Sequence, residues 1–400
     1  MVIKKYGYLM NSKFLVLTLG LMMSAMSQAD FLPEDIYIHG YLTQDFFHSS
    51  DNNVNGHSDD GISPGRTEIG LNISYQPFDH LTLSAQGLYR RAGDVDKGSV
   101  RLDYGLADWS LFNYPEGQIG IRGGRIKIPF GLYNDTRDVA FTNPTILLPQ
   151  GIYFDRSRSL LTSADGGALY AQHHTPWGNF SFKFNVGFPL GNHEEIRATL
   201  LTPAAQGTFK ANLAAATQLK YESNAGEYVF AVSYMDLKLK YHPVANDFLS
   251  SGYTTIRPLL FSAQYNGERL GLTAEYLYRW NHSKNFRFFP ESRTVSESWF
   301  VQASYRFIPQ LQGIVRYETL SMSIADRSGN LASRVGLPNH IAYSESWMAG
   351  LRWDITSCWM LRTEYHRIHG TAWLSQSDNQ NRAATHENWD LYVLQLSYRF

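Results

Sequence analysis

The sequence predicts an all-β protein, a transmembrane antiparallel barrel of about sixteen strands. Three observations carry this reading. Segments of roughly ten residues alternate apolar and polar positions through most of the chain, as tilted membrane strands do. Short and long connections between them alternate. Aromatic residues make up 14% of the chain although its mean hydropathy is only −0.30, a combination that few soluble domains need.

The first residues read as an export signal. Lys4, Lys5 and Lys13 precede the apolar run FLVLTLGLMM (14–23) and the small-residue stretch SAMSQA, so the expected boundaries are a signal peptide at 1–29 and a barrel at 30–400. The apolar run is half of what a spanning helix needs. Removing residues 1–29 takes three lysines and no acid, leaving 32 bases against 36 acids, a charge of −4 that does not suggest nucleic acid as a partner. A lone Cys358 offers no disulfide within the chain and lies far from any lipid-anchor position.

FSFKFNVGF (180–188) shows the period of two most plainly, with Phe180, Phe182, Phe184, Val186 and Phe188 on one face. Strands are expected near 36–47, 66–77, 80–91, 100–112, 118–128, 167–174, 179–188, 212–222, 227–240, 257–266, 271–282, 296–307, 311–320, 343–354, 358–369 and 389–400. Their number is even, as single-chain bacterial barrels require. Turns such as QPFDH (76–80), NYPEG (113–117) and SNAGE (223–227) are short and define the periplasmic rim; the polar stretches between them define the other.

Charge decides which face looks inward. The polar phase carries Arg90, Arg101, Lys183, Lys220, Arg279, Arg306, Arg316, Arg352, Arg362 and Arg399 with Asp45, Glu68, Glu275, Glu318, Asp354 and Glu364. Ten such charges in lipid would cost about 20 kcal/mol at about 2 each, more than the roughly 5–15 kcal/mol of a typical fold. They must therefore point into a lumen that wants water. Ten bases against six acids is a mild cationic excess. One unit charge at about 7 Å in water is worth about 0.6 kcal/mol, roughly a threefold preference, so weak anion preference is expected. On the last strand Tyr392, Leu394, Leu396, Tyr398 and Phe400 form the lipid face, which must pair with the first strand because hydrocarbon tolerates no open edge.

After strand five, GGRIKIPFGLYND (123–135) abandons alternation, and residues 129–166 form a loop too long to be structureless without a task. At this segment the chain resembles the sixteen-stranded porins of Gram-negative outer membranes, and GRIKIPFGLYND resembles a strand-to-loop junction of the phosphate-selective porins. That resemblance implies a third extracellular loop folded into the lumen, a homotrimer, an outer-membrane location, and passive diffusion of small hydrophilic solutes and ions, with anions such as phosphate among them. By position within it, Asp135, Arg137, Asp138, Asp155, Arg156 and Arg158 are candidate constriction residues, faced by Arg90, Arg101, Arg122 and Lys127 from neighbouring strands.

The alternative is a barrel enzyme of lipase or protease type with a rim active site. GISPG (61–65) matches the G-x-S-x-G elbow, but the elbow needs a helix after Ser63, where this chain has Pro64 and a strand. His173 with His174, and His366 with His369, point to opposite faces of a strand and cannot share a metal. Neither catalysis nor a cofactor is expected.

Overall fold

The computed structural model describes residue 33, residues 35–190, 194–201, 204–287 and 291–400. The expected signal peptide at 1–29 lies outside them. The first five strands are β1 (Ile36–Ser49), β2 (Ser63–Phe78), β3 (Leu81–Ala92), β4 (Asp96–Tyr114) and β5 (Gly117–Lys127). Past the long loop come β6 (Ser163–Thr175), β7 (Gly178–Pro189), β8 (Thr208–Ala211), β9 (Ala214–Glu222), β10 (Tyr228–His242), β11 (Tyr253–Asn266) and β12 (Leu270–Lys284). The last five are β13 (Ser292–Ile308), β14 (Leu311–Ser321), β15 (Tyr343–Asp354), β16 (Trp359–Gly370) and β17 (Asn388–Arg399).

The pairings run antiparallel round the sheet, and β17 returns to β1 with Thr43 opposite Ser397 and Phe47 opposite Val393. The segments β8 and β9 are two halves of one stave, since both pair with β10, at Phe209↔Tyr241 and Lys220↔Ala231. Seventeen segments therefore make a closed barrel of sixteen staves. Closure removes the edge that hydrocarbon forbids.

Side-chain exposure follows the predicted phase. On β7 Phe180, Phe182, Phe184 and Phe188 are exposed while Asn185 is buried; on β17 Tyr392, Leu394 and Leu396 are exposed while Leu391, Val393, Gln395 and Ser397 are buried. Outward aromatics pack in tilted pairs across neighbouring strands, as in Tyr228 with Tyr265 and Tyr317 with Trp347. These are the girdles of a membrane barrel. At the seam Gly40 and Phe400 exchange backbone hydrogen bonds of 3.2 and 3.1 Å. A Cβ at residue 40 would sit 2.3 Å from the Phe400 ring. Gly40→Leu is therefore expected to displace that ring and destabilise the seam by about 1–2 kcal/mol. A lowered temperature for the shift between folded and unfolded bands on a gel would show it.

Two expectations need correction. The third loop runs over residues 128–162 and not 129–166, because β6 starts at Ser163 and Asp165 pairs with Arg125 in the sheet. Glycines 166 and 167 hid this, since alternation cannot be read where there is no side chain. The lumen is also not polar throughout. Met235, Leu260, Leu277 and Phe300 share an apolar cluster with loop residues Phe130, Tyr133, Leu148, Ile152 and Tyr153. The inward side of β10 is mostly apolar (Val229, Ala231, Met235, Leu237, Leu239), and its charges Asp236, Lys238 and Lys240 lie on the other face, so the rule that charge points inward misleads there.

Candidate functional site

The long loop is drawn inward by the side chains beneath it. Its middle segment is held from several strands at once: Arg66 donates to the Ile146 carbonyl at 2.9 Å, Arg362 to that of Asn143 at 2.8 Å, and Arg316 to the Thr145 hydroxyl at 3.0 Å. Glu364 accepts from the backbone of Ile146 and Leu147. Apart from the Arg316 bond to a hydroxyl, each answers a backbone group that would otherwise be stranded away from water.

At the loop's start, Gly131 takes φ of +61°, and a Cβ there would lie 2.1 Å from the Tyr153 hydroxyl. This close approach lets Glu275 of β12 accept from Tyr153 (2.8 Å), from the Ser262 hydroxyl (2.7 Å) and from the Leu132 amide (3.0 Å). Glu275→Leu is expected to strand these donors at about 1–3 kcal/mol each. Faster proteolysis within residues 128–162, with the barrel still folded, is the outcome to look for.

Most of the candidate residues join two ion-pair networks. In the first, Asp155 faces Arg137 at 3.0 Å, Arg90 at 3.5 Å and Arg66 at 3.6 Å. Arg90 also meets Glu68 at 2.8 Å and Asp96, which in turn holds Arg101 at 2.8 Å. In the second, Lys127 bridges Asp103 (2.6 Å) and Asp138 (2.7 Å), and Asp138 pairs with Arg158. Both networks have enclosed centres, at Arg90, Arg137 and Asp138, while Arg101, Asp155 and Lys127 are 27%, 19% and 14% exposed. Along their seam lies a cavity of about 60 Å³ bounded by Arg90, Arg101, Arg156 and Arg158 among others.

The remaining three candidates stand apart. Arg122 pairs with Asp108 at 2.8 Å beneath the Tyr170 ring, and Asp135 pairs with Lys183. Arg156 meets no carboxylate within ion-pair distance among the described residues; it donates to the Leu374 carbonyl and lies against Phe154. Exposure separates the groups. The side chains of Arg122 and Asp108 are 35% and 20% exposed and those of Lys183 and Asp135 are 29% and 41%, against 2% for Arg90, Arg137 and Asp138. The pairs Arg122–Asp108 and Lys183–Asp135 on β4, β5, β7 and the loop's start are thus the most open of these pairs, while the centres of the two networks, where the loop meets the wall, are enclosed.

Sequence reasoning missed several partners. Arg66 shares a face with Glu68 at a spacing of two, a signal that was available. Asp103 was hidden by a bulge, visible as the register jump between Gln86↔Tyr104 and Gly87↔Leu102, which turns Asp103 inward.

Features of the enzymatic alternative are placed as well. Ser63 opens β2 and donates its hydroxyl to the Asn55 carbonyl. Among the described residues no group of three His, Cys, Asp or Glu is arranged to hold a metal ion.

This geometry defines a class, the closed sixteen-stranded barrels of bacterial outer membranes, with a long loop packed inside. No protein-family model matches the chain, and no curated protein matches it. Solved structures do. They include OmpT of Vibrio cholerae in a trimer form (12% identity, TM-score 0.56, 91% of this chain and 99% of that one). An anion-selective porin from Comamonas acidovorans matches at 11% identity and TM-score 0.56 over 91% of this chain and 99% of that one. OmpF of Salmonella typhi, in complex with daunomycin, matches at 14% and 0.54 over 92% and 99%. At such identities the likeness is one of fold.

Proposed function

We propose that this protein is an outer-membrane porin, a water-filled channel through which small hydrophilic solutes and ions diffuse passively past a constriction made by the third loop. The observation that carries the reading is the uneven exposure just described. A loop sealed to most of the wall, with the pairs Arg122–Asp108 and Lys183–Asp135 left in water, suits a narrowed passage along β4 to β7. Irregular backbone at membrane depth is tolerated where it is buried in protein or lines water. The inward excess of bases favours weak anion preference, set by charge and diameter as in other pores.

A homotrimer completes the proposal. Arg125 and Asp165 pair at 2.7 Å in the same cross-strand row, and on the same face, as the exposed Phe188. That places an ion pair on the outer wall, where a neighbouring copy would cover it better than lipid.

Purified protein in a planar bilayer under a KCl gradient should give stable open channels and a small reversal potential of anionic sign. Silence across many insertions of folded protein would overturn the channel and direct attention to lipase and protease assays.

A further inference from the structure

The outer wall holds a cluster of charge that the channel does not use. On the face of β10 opposite the lumen, Lys238 and Lys240 follow Phe230, Val232 and Tyr234. Lys240 lies directly across from Lys210 of β8 on one side and from Tyr253 of β11 on the other, and Tyr253 lies across from Lys284 of β12. Four ammonium groups thus occupy one outward patch over four neighbouring strand segments. Lys238 and Lys240 sit 4.5 and 5.9 Å from the Tyr253 ring.

Like charges directly opposed across a ladder are destabilising. Elsewhere on this outer face bases have acids beside them: Arg125 with Asp165, Arg293 with Glu291, Arg367 with Asp390. Within the patch Asp236 is taken by Arg257 at 2.9 Å. Among the described residues none of the four lysines has a carboxylate within ion-pair distance.

Their height gives the missing partner. From Tyr228, beside the short turn, to Lys238 is ten residues, roughly 25 Å of membrane depth for a tilted strand, about the full apolar band. The lysines therefore sit where the hydrocarbon ends on the long-loop side. We propose that Lys210, Lys238, Lys240 and Lys284 bind the phosphate groups of an anionic lipid headgroup in the outer leaflet, the Tyr253 ring lying against Lys238 and Lys240. The inference rests on the barrel spanning a membrane and not on its conducting.

The test uses the whole barrel in phosphatidylcholine nanodiscs doped with bis-phosphorylated lipid A or with its dephosphorylated form, the retained glycolipid counted by native mass spectrometry. The phosphorylated form should be retained at least tenfold better. Lys210→Gln with Lys240→Gln should cut retention roughly tenfold, Lys210→Arg with Lys240→Arg should preserve it, and salt should weaken it. Equal retention of the two lipids, or retention indifferent to the glutamine pair, would overturn the proposal. Full displacement by inorganic phosphate would assign the patch to free anions instead. A silent channel that still selects the phosphorylated lipid would count against the porin alone, so the two readings fail separately.

Discussion

Asp155→Asn is expected to raise single-channel conductance and to loosen the third loop without unfolding the barrel. Among the described residues Asp155 is the one carboxylate within ion-pair distance of Arg137, Arg90 and Arg66 together, at 3.0, 3.5 and 3.6 Å. Removing one partner of a buried charge set costs about 3–5 kcal/mol, because the others are left unmatched away from water. The sheet can keep its ladder, so the cost falls on the contact between loop and wall. Conductance should rise by about twofold as the loop yields cross-section, and Asp155→Glu should restore most of the block. Unchanged conductance, with residues 128–162 still protected from protease, would show that the network does not seat the loop.

The second large effect concerns selectivity. Lys183→Glu combined with Arg122→Glu should turn a weak anion preference into a clear cation preference, roughly tenfold or more, since each reversed charge acts about twice as strongly as a removed one. A bilayer reversal potential in asymmetric KCl measures it directly. Arg137 and Arg156, also among the candidate constriction residues, make a contrast as Arg137→Glu and Arg156→Glu. Those side chains are buried, so their reversal should disturb loop packing while moving selectivity less. If Arg156→Glu shifted the potential more than the pair on β5 and β7, the water path would lie on the other side of the loop.

The mouth should respond to pH in its own way. Asp378, in the loop before β17, accepts from the amides of Gly56 and Asp94, which ties three extracellular loops together. Burial pushes its carboxyl up to about 6, with Asp94 and Glu195 adding repulsion against those two hydrogen bonds. A carboxyl whose folded pKa lies above its unfolded value binds more protons when folded. Its unfavourable charge is therefore relieved, and the tie strengthens, as pH falls through about 6 towards 4. Protection of the Gly56 and Asp94 amides, measured relative to their intrinsic exchange rates, should rise over that range, and Asp378→Asn should abolish the rise.

Much of the barrel was legible because its physics is local. Alternation on β7 and β17 needs only neighbouring residues, and the ban on charge in lipid orients strands such as β3 and β14, whose Arg90 and Arg316 are buried inward. Legibility failed where side chains vanish or match. Glycines 166 and 167 concealed the start of β6, and the apolar inward face of β10, with its charges turned outward, concealed the wall that carries the loop. The candidate constriction was legible as a group of charges. Its division into sealed and water-facing members was not, since it depends on which strand lies beneath each loop residue. Arg137 and Asp135 are two positions apart in sequence, yet one is enclosed and the other open.

The seam between β1 and β17 also sets a schedule. Thr43 bonds Ser397 across 354 residues, and Gly40 bonds the final residue of the sequence. The cylinder cannot be sealed from its first strands alone, because the partner of β1 lies some 354 positions further along the chain. Until it arrives both borders of the sheet carry unpaired amides and carbonyls, the surface that invites misassembly. Some other surface, lipid-facing machinery or a chaperone groove, must hold those borders during insertion. A chain cut within its last ten residues would stay in that guarded state.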